Sequence, residues 1–338
     1  MRLRGLIPIA AAGFLAVAGG AQAALTEFQS FTGNVAMSTD GWGGSDGSGV
    51  ISARAPDGSS VVAAYLYSAT RFLTPDVVAA TPTDIMLNGS SVTTSFLSKN
   101  NLDNCCGGVI TTFRADVTSI VKPVIDAGGG PVFDFNISEG TDNSRLDGHA
   151  LVVVYENPAL PDASVGILDG FASVGGDSTS INFAEALDVS DPDFFAEMVL
   201  GINFSASGQS SNVSVNGNLL TTNAGDFDDG ENAANGSLIT VGSFDDPFSP
   251  MNPTYAQDTE RYDLAASGFL VDGDTTISID TNNPSNDDNI FLAAFYVKGE
   301  AGFNEPPPSN NVIPIPATAW LMGASMLGLG WVGRRKRR

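Results

Sequence analysis

Short runs in which apolar and polar residues alternate fill most of the chain between its two ends. In residues 132–137 every second residue is apolar, which places Phe133, Phe135 and Ile137 on one face of a strand. Residues 149–155 are almost continuously apolar, as expected for a strand that is buried on both faces. The pattern therefore predicts many short β-strands. Further runs rich in Val, Ile, Phe and Tyr lie at 61–67, 164–168, 198–204, 275–280 and 290–297.

Turn signals separate these runs. Asn-Gly pairs, which favour two-residue hairpin turns, begin at Asn88, Asn216 and Asn235. Helical spacing of apolar residues begins at Val117, but Pro123 limits that helix to about two turns. Many short strands with frequent turns and little helix indicate an all-β fold of the sandwich or Greek-key type.

The segment 158–161, Pro-Ala-Leu-Pro, divides the predicted strands into two sets. We therefore expect two packed β-sandwich units, Greek-key or jelly-roll-like, at 26–157 and 158–303. The pattern leaves open whether the units share an interface or exchange strands.

The N-terminus has the layout of a secretory signal peptide. Arg2 and Arg4 provide a positive start, residues 6–18 are apolar, and Ala21 and Ala23 form a small-x-small cleavage site. An amphipathic first helix is the alternative, but this stretch is apolar on every side. We expect residues 1–23 to direct export and to be removed.

The C-terminus contains a second apolar segment. Residues 317–333 carry no charge over 17 positions, about 26 Å of helix, which is close to the shortest membrane span. A basic cluster follows at once, and the positive-inside rule keeps it in the cytoplasm, so the body lies outside. The cluster consists of Arg334, Arg335, Lys336, Arg337 and Arg338.

A short proline motif precedes this apolar segment, after a Pro- and Asn-rich linker at 304–312. Motif, apolar run and basic tail together (residues 313–338) resemble a VPLPA-CTERM or PEP-CTERM sorting signal. The resemblance implies recognition by an exosortase-like membrane protease in a Gram-negative bacterium that makes exopolysaccharide. A single-pass anchor that is never cut is the alternative. The motif residues are Ile313, Pro314, Ile315, Pro316 and Ala317, with Ile315 where many family members have Glu or Leu.

The body also resembles a known domain, through the strings at 64–67, 113–118, 151–158 and 169–171. They are similar to an uncharacterised β-rich domain of bacterial surface proteins. The resemblance implies a surface location and no particular activity.

The charge distribution limits the classes of partner that the protein can bind. Eight of the 15 Lys and Arg residues and all 38 Asp and Glu residues lie in the body and its linker, between the two terminal segments, which gives this part a formal charge of about −30. Such a body repels nucleic acid, whose phosphates need basic residues, and it attracts divalent cations. One His and two Cys exclude a Cys/His metal cluster.

One acidic loop is a candidate calcium site. Asp226, Asp228, Asp229 and Glu231 cluster within six residues and offer the hard oxygens that Ca²⁺ prefers. Their spacing does not match an EF-hand. Solvated turns, in which Asp and Asn bond to nearby backbone, are the alternative, and we expect no other cofactor.

The two cysteines, Cys105 and Cys106, are adjacent. Neighbouring Cα atoms are about 3.8 Å apart, below the usual disulfide minimum of about 4.4 Å. A bridge between them would force a tight turn and close almost no loop, so we expect little stabilisation from it.

No motif selects catalytic residues. His149 lies at the start of an apolar strand, and we expect it to be a strand-edge side chain, because no Gly-x-Ser-x-Gly elbow is present. We therefore expect a non-enzymatic, exported surface or matrix protein that meets the export machinery, an exosortase-like protease and extracellular polysaccharide. A Ca²⁺-dependent carbohydrate-binding module and a secreted glycoside hydrolase are the alternatives.

Overall fold

A computed structural model describes residues 25–304, except 45, 71–80, 103–107, 143–144, 174, 204–207, 209, 227–238, 251–258 and 285–288. These residues form antiparallel β-sheets and a single α-helix, which confirms the all-β class. The strands are β1 Thr26–Gly33, β2 Val35–Trp42, β3 Ser48–Arg54, β4 Ser60–Thr70, β5 Met86–Leu87, β6 Ser90–Ser91, β7 Ser95–Leu102, β8 Gly108–Asp116, β9 Val132–Ser138, β10 Leu146–Glu156, β11 Ala163–Asp169, β12 Asp177–Phe183, β13 Ala196–Asn203, β14 Ser211–Val215, β15 Asn218–Ala224, β16 Ile239–Val241, β17 Arg261–Asp263, β18 Thr276–Asn282, β19 Asn289–Lys298 and β20 Ala301–Phe303.

The strands form four sheets, which we number by their order in the stack. Sheet I has the strand order β3-β9-β5-β6, and sheet II has β2-β10-β4-β8-β7. Sheet III has β1-β11-β19-β13-β16, with β17 also on β13, and sheet IV has β15-β14-β18-β12-β20.

Three apolar cores separate the four sheets. Ile51 and Leu151 belong to the core between sheets I and II, and Phe291 belongs to the core between sheets II and III. Ile277 and Phe303 belong to the core between sheets III and IV. The middle core contains buried residues from both halves of the chain, among them Val152 and Phe291.

Strand β10 shows why sheets II and III can both be internal. Its residues from Leu146 to Tyr155 are all buried, because it packs on sheet I with one face and on sheet III with the other. This confirms the expectation for residues 149–155. Gly148 allows the close approach, since a Cβ there would lie 2.3 Å from Cγ2 of Ile239 on β16.

Local signals in the sequence correspond to local structure. The helix α1, Thr118–Ile125, is eight residues long with Pro123 inside it, and Asp116 accepts the Thr118 N–H at 2.9 Å. Asn88 and Asn216 have positive φ angles of 49° in the turns β5–β6 and β14–β15.

The first strand lies in an unexpected sheet. β1 pairs antiparallel with β11, from Thr26 opposite Asp169 to Gly33 opposite Ala163. The sequence-based division assigned residues 26–33 to the first unit, whereas the structure places them in sheet III. Sheets I and II are therefore inserted between two neighbouring strands of sheet III.

The two ends of the described body lie near each other. The Leu25 N–H donates to Asp177 at 2.9 Å, and the Asn304 N–H donates to the Ser180 carbonyl at 2.7 Å. Asp177 and Ser180 are three residues apart on β12, a distance of roughly 10 Å. The chain therefore enters and leaves the body at one edge of sheet IV.

The two expected terminal segments lie outside the described residues. These are the signal peptide, with its cleavage residues Ala21 and Ala23, and the segment 313–338 with the sorting motif and basic cluster. Within the described ranges no helix has both the length and the apolar content of a membrane span.

Candidate functional site

Only one of the candidate calcium ligands lies in the described part of the chain. Asp226 accepts the Gly208 N–H with its carboxylate, while Asp228, Asp229 and Glu231 fall outside the described ranges. Cys105 and Cys106 also fall outside them. In the ranges that the structure does describe, no three Asp, Glu, His or Cys side chains are grouped as metal ligands.

A buried carboxylate fixes the start of this acidic loop. Glu260 is 1% exposed and accepts the Gly225 N–H at 2.7 Å and the Tyr262 O–H at 2.6 Å. These bonds tie residue 225, immediately before Asp226, to the adjoining sheet III.

The structure brings a serine, the histidine and a glutamate together inside the protein. Ser68 Oγ lies 2.9 Å from Nδ1 of His149, and Oε1 of Glu139 lies 3.2 Å from Nε2. All three residues are 0% exposed. We call them the buried Ser-His-Glu cluster.

Strand register explains how this cluster forms. His149 on β10 is opposite Ser68 on β4 and opposite Trp42 on β2. The indole of Trp42 stacks on the imidazole, with ring centroids 6.1 Å apart and planes 12° apart. Glu139 follows β9 and reaches across from sheet I, and its N–H donates to the Gly47 carbonyl at 2.9 Å.

A serine, a base and an acid in hydrogen-bond contact are the parts of a nucleophilic relay. In the neutral imidazole one nitrogen donates and the other accepts, so the ring can connect Ser68 to Glu139. A relay acts on a substrate only if the nucleophile is reachable, and Ser68 Oγ is sealed between two sheets. In this conformation the cluster holds sheet I to sheet II through polar contacts.

One atom of this cluster has no hydrogen-bond partner among the described residues. Oε2 of Glu139 is buried and unpaired, which costs the desolvation of a carboxylate oxygen, about 1–3 kcal/mol or more.

The sequence-based interpretation of His149 was wrong. The residue is fully buried and paired, because β10 is internal and Ser68 and Glu139, 81 and 10 residues away, fold onto it. A signal for this existed: a histidine in a strand buried on both faces must find hydrogen-bond partners.

A second polar cluster joins sheets II and III. Arg114 forms an ion pair with Asp169, and the Tyr67 hydroxyl donates to Asp169 at 3.0 Å. The Arg114 guanidinium carbon lies 3.3 Å from the ring centroid of Phe28 on β1. Burial raises the pKa of Asp169, although the Arg114 charge opposes this, and burial raises the pKa of Tyr67 well above its usual value.

A cavity lies where β1, β12 and β19 end and β11 begins. It has a volume of about 590 Å³, within the range of about 300–1,000 Å³ that is common for ligand pockets. Lys298 lies in it and pairs with Asp191 at 2.6 Å, and this hydrogen bond lowers the pKa of Asp191. The other charged side chains of its wall are Asp162, Glu185, Asp188 and Glu300, so the cavity disfavours anions.

Comparisons with known proteins assign no family. No family model matches the chain, and no curated protein matches it. Solved structures of BuGH86 in complex with neoagarooctaose are 9% identical to it, with TM-scores of 0.20 for the wild type and 0.16 for a variant. The wild-type alignment covers 81% of this chain and 34% of that chain, so this chain spans about a third of its length. TM-scores this low do not indicate a shared fold.

Proposed function

We propose that this chain is an exported, non-enzymatic surface or extracellular-matrix protein of a Gram-negative bacterium. In this proposal the signal peptide starts export, and the C-terminal helix holds the body outside the inner membrane. An exosortase-like protease then cuts at the proline motif and releases the body, a pair of β-sandwich units, to the surface or the matrix.

The observation that carries the proposal is the order of three features at the C-terminus. Pro314 and Pro316 precede an uncharged apolar run of membrane length, and a wholly basic tail follows it. A plain buried helix would not need such a tail, whereas a membrane segment with a cytoplasmic end does.

The geometry of the body supports tethering at one place. Leu25 and Asn304 lie at the same edge of sheet IV, so the two membrane-proximal segments join the body at one side. The linker 304–312 has nine residues and extends at most about 30 Å. The body therefore stays close to the membrane until the tail is cut.

The charge of the body favours release after cleavage. About thirty excess carboxylates outside the membrane repel an anionic lipid surface. Only eight Lys and Arg residues precede the C-terminal segment once the signal peptide is removed, so little positive charge opposes this repulsion.

Two paired proline variants in the native host test the proposal. Pro314→Ala with Pro316→Ala changes the motif, and Pro306→Ala with Pro307→Ala makes the same change in the linker. We expect the motif variant to accumulate at full length in the inner membrane and the linker variant to reach the surface like wild type. Fractionation with immunoblotting distinguishes the two, and normal processing of the motif variant would contradict the proposal.

A further inference from the structure

The three central strands of sheet IV have an outward side made only of short polar residues. On β12, β14 and β18 alternate residues face the core, among them Ile181, Val213 and Ile277. The nine residues between them face outward, and all are Ser, Thr, Asn or Asp. They run from Ser178 to Asn182 on β12, from Asn212 to Ser214 on β14 and from Thr276 to Asn282 on β18. We call these nine residues the sheet IV outer face.

This composition opposes the strand preference of the residues. Asn, Asp and Ser are poor or neutral strand formers, while Thr, Val and aromatic residues are favoured. Only Thr276 among the nine belongs to the favoured group. The outer face of sheet I also contains Ser, Asn and Asp, but Val50, Arg54 and Val132 interrupt them. Eight of the nine outward residues therefore oppose the strand preference, which indicates selection for the chemistry of this surface.

Cross-strand contacts hold these short side chains in place. The Ser178 hydroxyl donates to Asp280 at 2.5 Å, and the Thr276 hydroxyl donates to Asn182 at 3.1 Å. The Asn182 amide also donates to the Ser180 hydroxyl at 3.2 Å. Each hydroxyl and amide keeps further donor or acceptor capacity. The face is therefore an ordered array of hydrogen-bonding groups that loses little entropy when a partner binds.

The charge of the face limits the kind of partner. Asp280 is the one charged side chain among the nine, and it is already bonded to Ser178. The rest of the body carries a formal charge of about −30. A polyanion would be repelled by the body, and a polycation would bind elsewhere on it, so the face suits a partner without charge.

The size of the face argues against a folded protein as partner. Two strands of seven residues and one of five, spaced about 4.8 Å apart with about 3.3 Å per residue, cover roughly 300 Å². A stable protein interface needs about 800 Å² from each partner. A second copy of this chain would bury too little area here, whereas a linear polymer needs only a strip.

We infer that the sheet IV outer face binds an uncharged polysaccharide, whose hydroxyl groups pair with the Ser, Thr and Asn side chains. This inference rests on the proposed export, because the protein meets such polymers outside the cell. The acidic loops and the buried Ser-His-Glu cluster take no part in it.

Affinity electrophoresis of the full chain tests the inference. The protein is kept in a polyoxyethylene detergent, which contains no sugar, in native gels with dextran, galactomannan, xyloglucan or the uncharged matrix polysaccharide of the source bacterium. Alginate serves as the anionic comparison. We expect retardation by at least one uncharged polymer and none by alginate.

A cross-strand pair of serines provides the variant. Ser180 is opposite Ser278, and Ser180→Lys with Ser278→Glu places two long, oppositely charged side chains there, which is compatible with the sheet. Ser48→Lys with Ser138→Glu makes the same change on a cross-strand pair of sheet I. Melting curves by circular dichroism verify that both variants fold.

We expect at least tenfold weaker retardation for the sheet IV variant and none of this loss for the sheet I variant. Equal retardation of both variants, or no retardation of wild type by any uncharged polymer, would overturn the inference. Dimerisation in sedimentation runs that only the sheet IV variant abolishes would assign the face to a second copy. Processing at the C-terminus is measured separately, so a failure of export is distinguishable from a failure of binding.

Discussion

The continuous core between sheets II and III implies that the body unfolds as one cooperative unit. Phe135, on β9, is fully buried in the core between sheets I and II and makes no contribution to the cores on either side of sheet III. Phe135→Ala removes a large side chain from a close-packed site, which typically costs about 3–5 kcal/mol. If sheets I to IV unfold together, sheet IV must lose the same stability.

Hydrogen exchange measures directly whether sheet IV loses stability when a residue of the core between sheets I and II is changed. The slowest amides of β18, near Ile277 and Ile279 in sheet IV, exchange through global unfolding when the body is one unit. Because each 1.36 kcal/mol changes an equilibrium tenfold, we expect Phe135→Ala to accelerate their exchange by about two to nearly four orders of magnitude. Exchange followed by mass spectrometry of β18 peptides gives the factor.

The reciprocal variant is the control. Phe303 is fully buried between sheets III and IV, and Phe303→Ala should accelerate the slow amides near Ile51 in sheet I by a similar factor. Unchanged exchange in the distant sheet for either variant would refute cooperative unfolding. The two pairs of sheets would then be independent domains in contact.

Three further predictions concern single groups. Burial raises the pKa of Tyr155 to about 12, against about 10 in an unfolded chain. The unfolded chain therefore loses this proton at lower pH than the folded protein does. As a result, the free energy of unfolding falls by roughly 2.7 kcal/mol between pH 10 and 12 and is unaffected by Tyr155 below pH 10. The free energy of unfolding of Tyr155→Phe, measured by urea melts, should accordingly depend less steeply on pH in this range than that of wild type. An unchanged slope would refute the raised pKa of Tyr155. If the acidic loop binds Ca²⁺, millimolar Ca²⁺ should raise the melting temperature above that in ionic-strength-matched NaCl, and Asp228→Asn with Asp229→Asn should reduce the difference. Equal effects of the two salts would indicate screening alone. Cys105→Ser with Cys106→Ser should leave the free energy of unfolding almost unchanged, since a bridge between neighbours closes no loop, and a loss of several kcal/mol would contradict this.

Patterns of local range gave correct predictions. Alternation in residues 132–137 corresponds to β9, and Pro123 lies in a helix of two turns. The Asn-Gly pairs at Asn88 and Asn216 form hairpin turns with positive φ. Each of these features depends on residues that are close together in the sequence, so the local sequence is sufficient to predict it.

Features that depend on pairing between distant residues could not be predicted from the sequence. β1 pairs with β11 across an insertion of two sheets, and nothing in residues 26–33 indicates a partner that far away. The buried Ser-His-Glu cluster likewise depends on the register of β4 with β10. Periodicity shows which face of a strand is apolar, but it does not show which sheet covers that face.

The mass of the mature protein tests the central claim most directly. Protein recovered from the cell surface or the culture medium of the native host is analysed intact. We expect an N-terminus near Ala23 and a C-terminus between Ile313 and Pro316. Mature surface material that still carries the cluster 334–338 would contradict cleavage and would make the segment a permanent anchor.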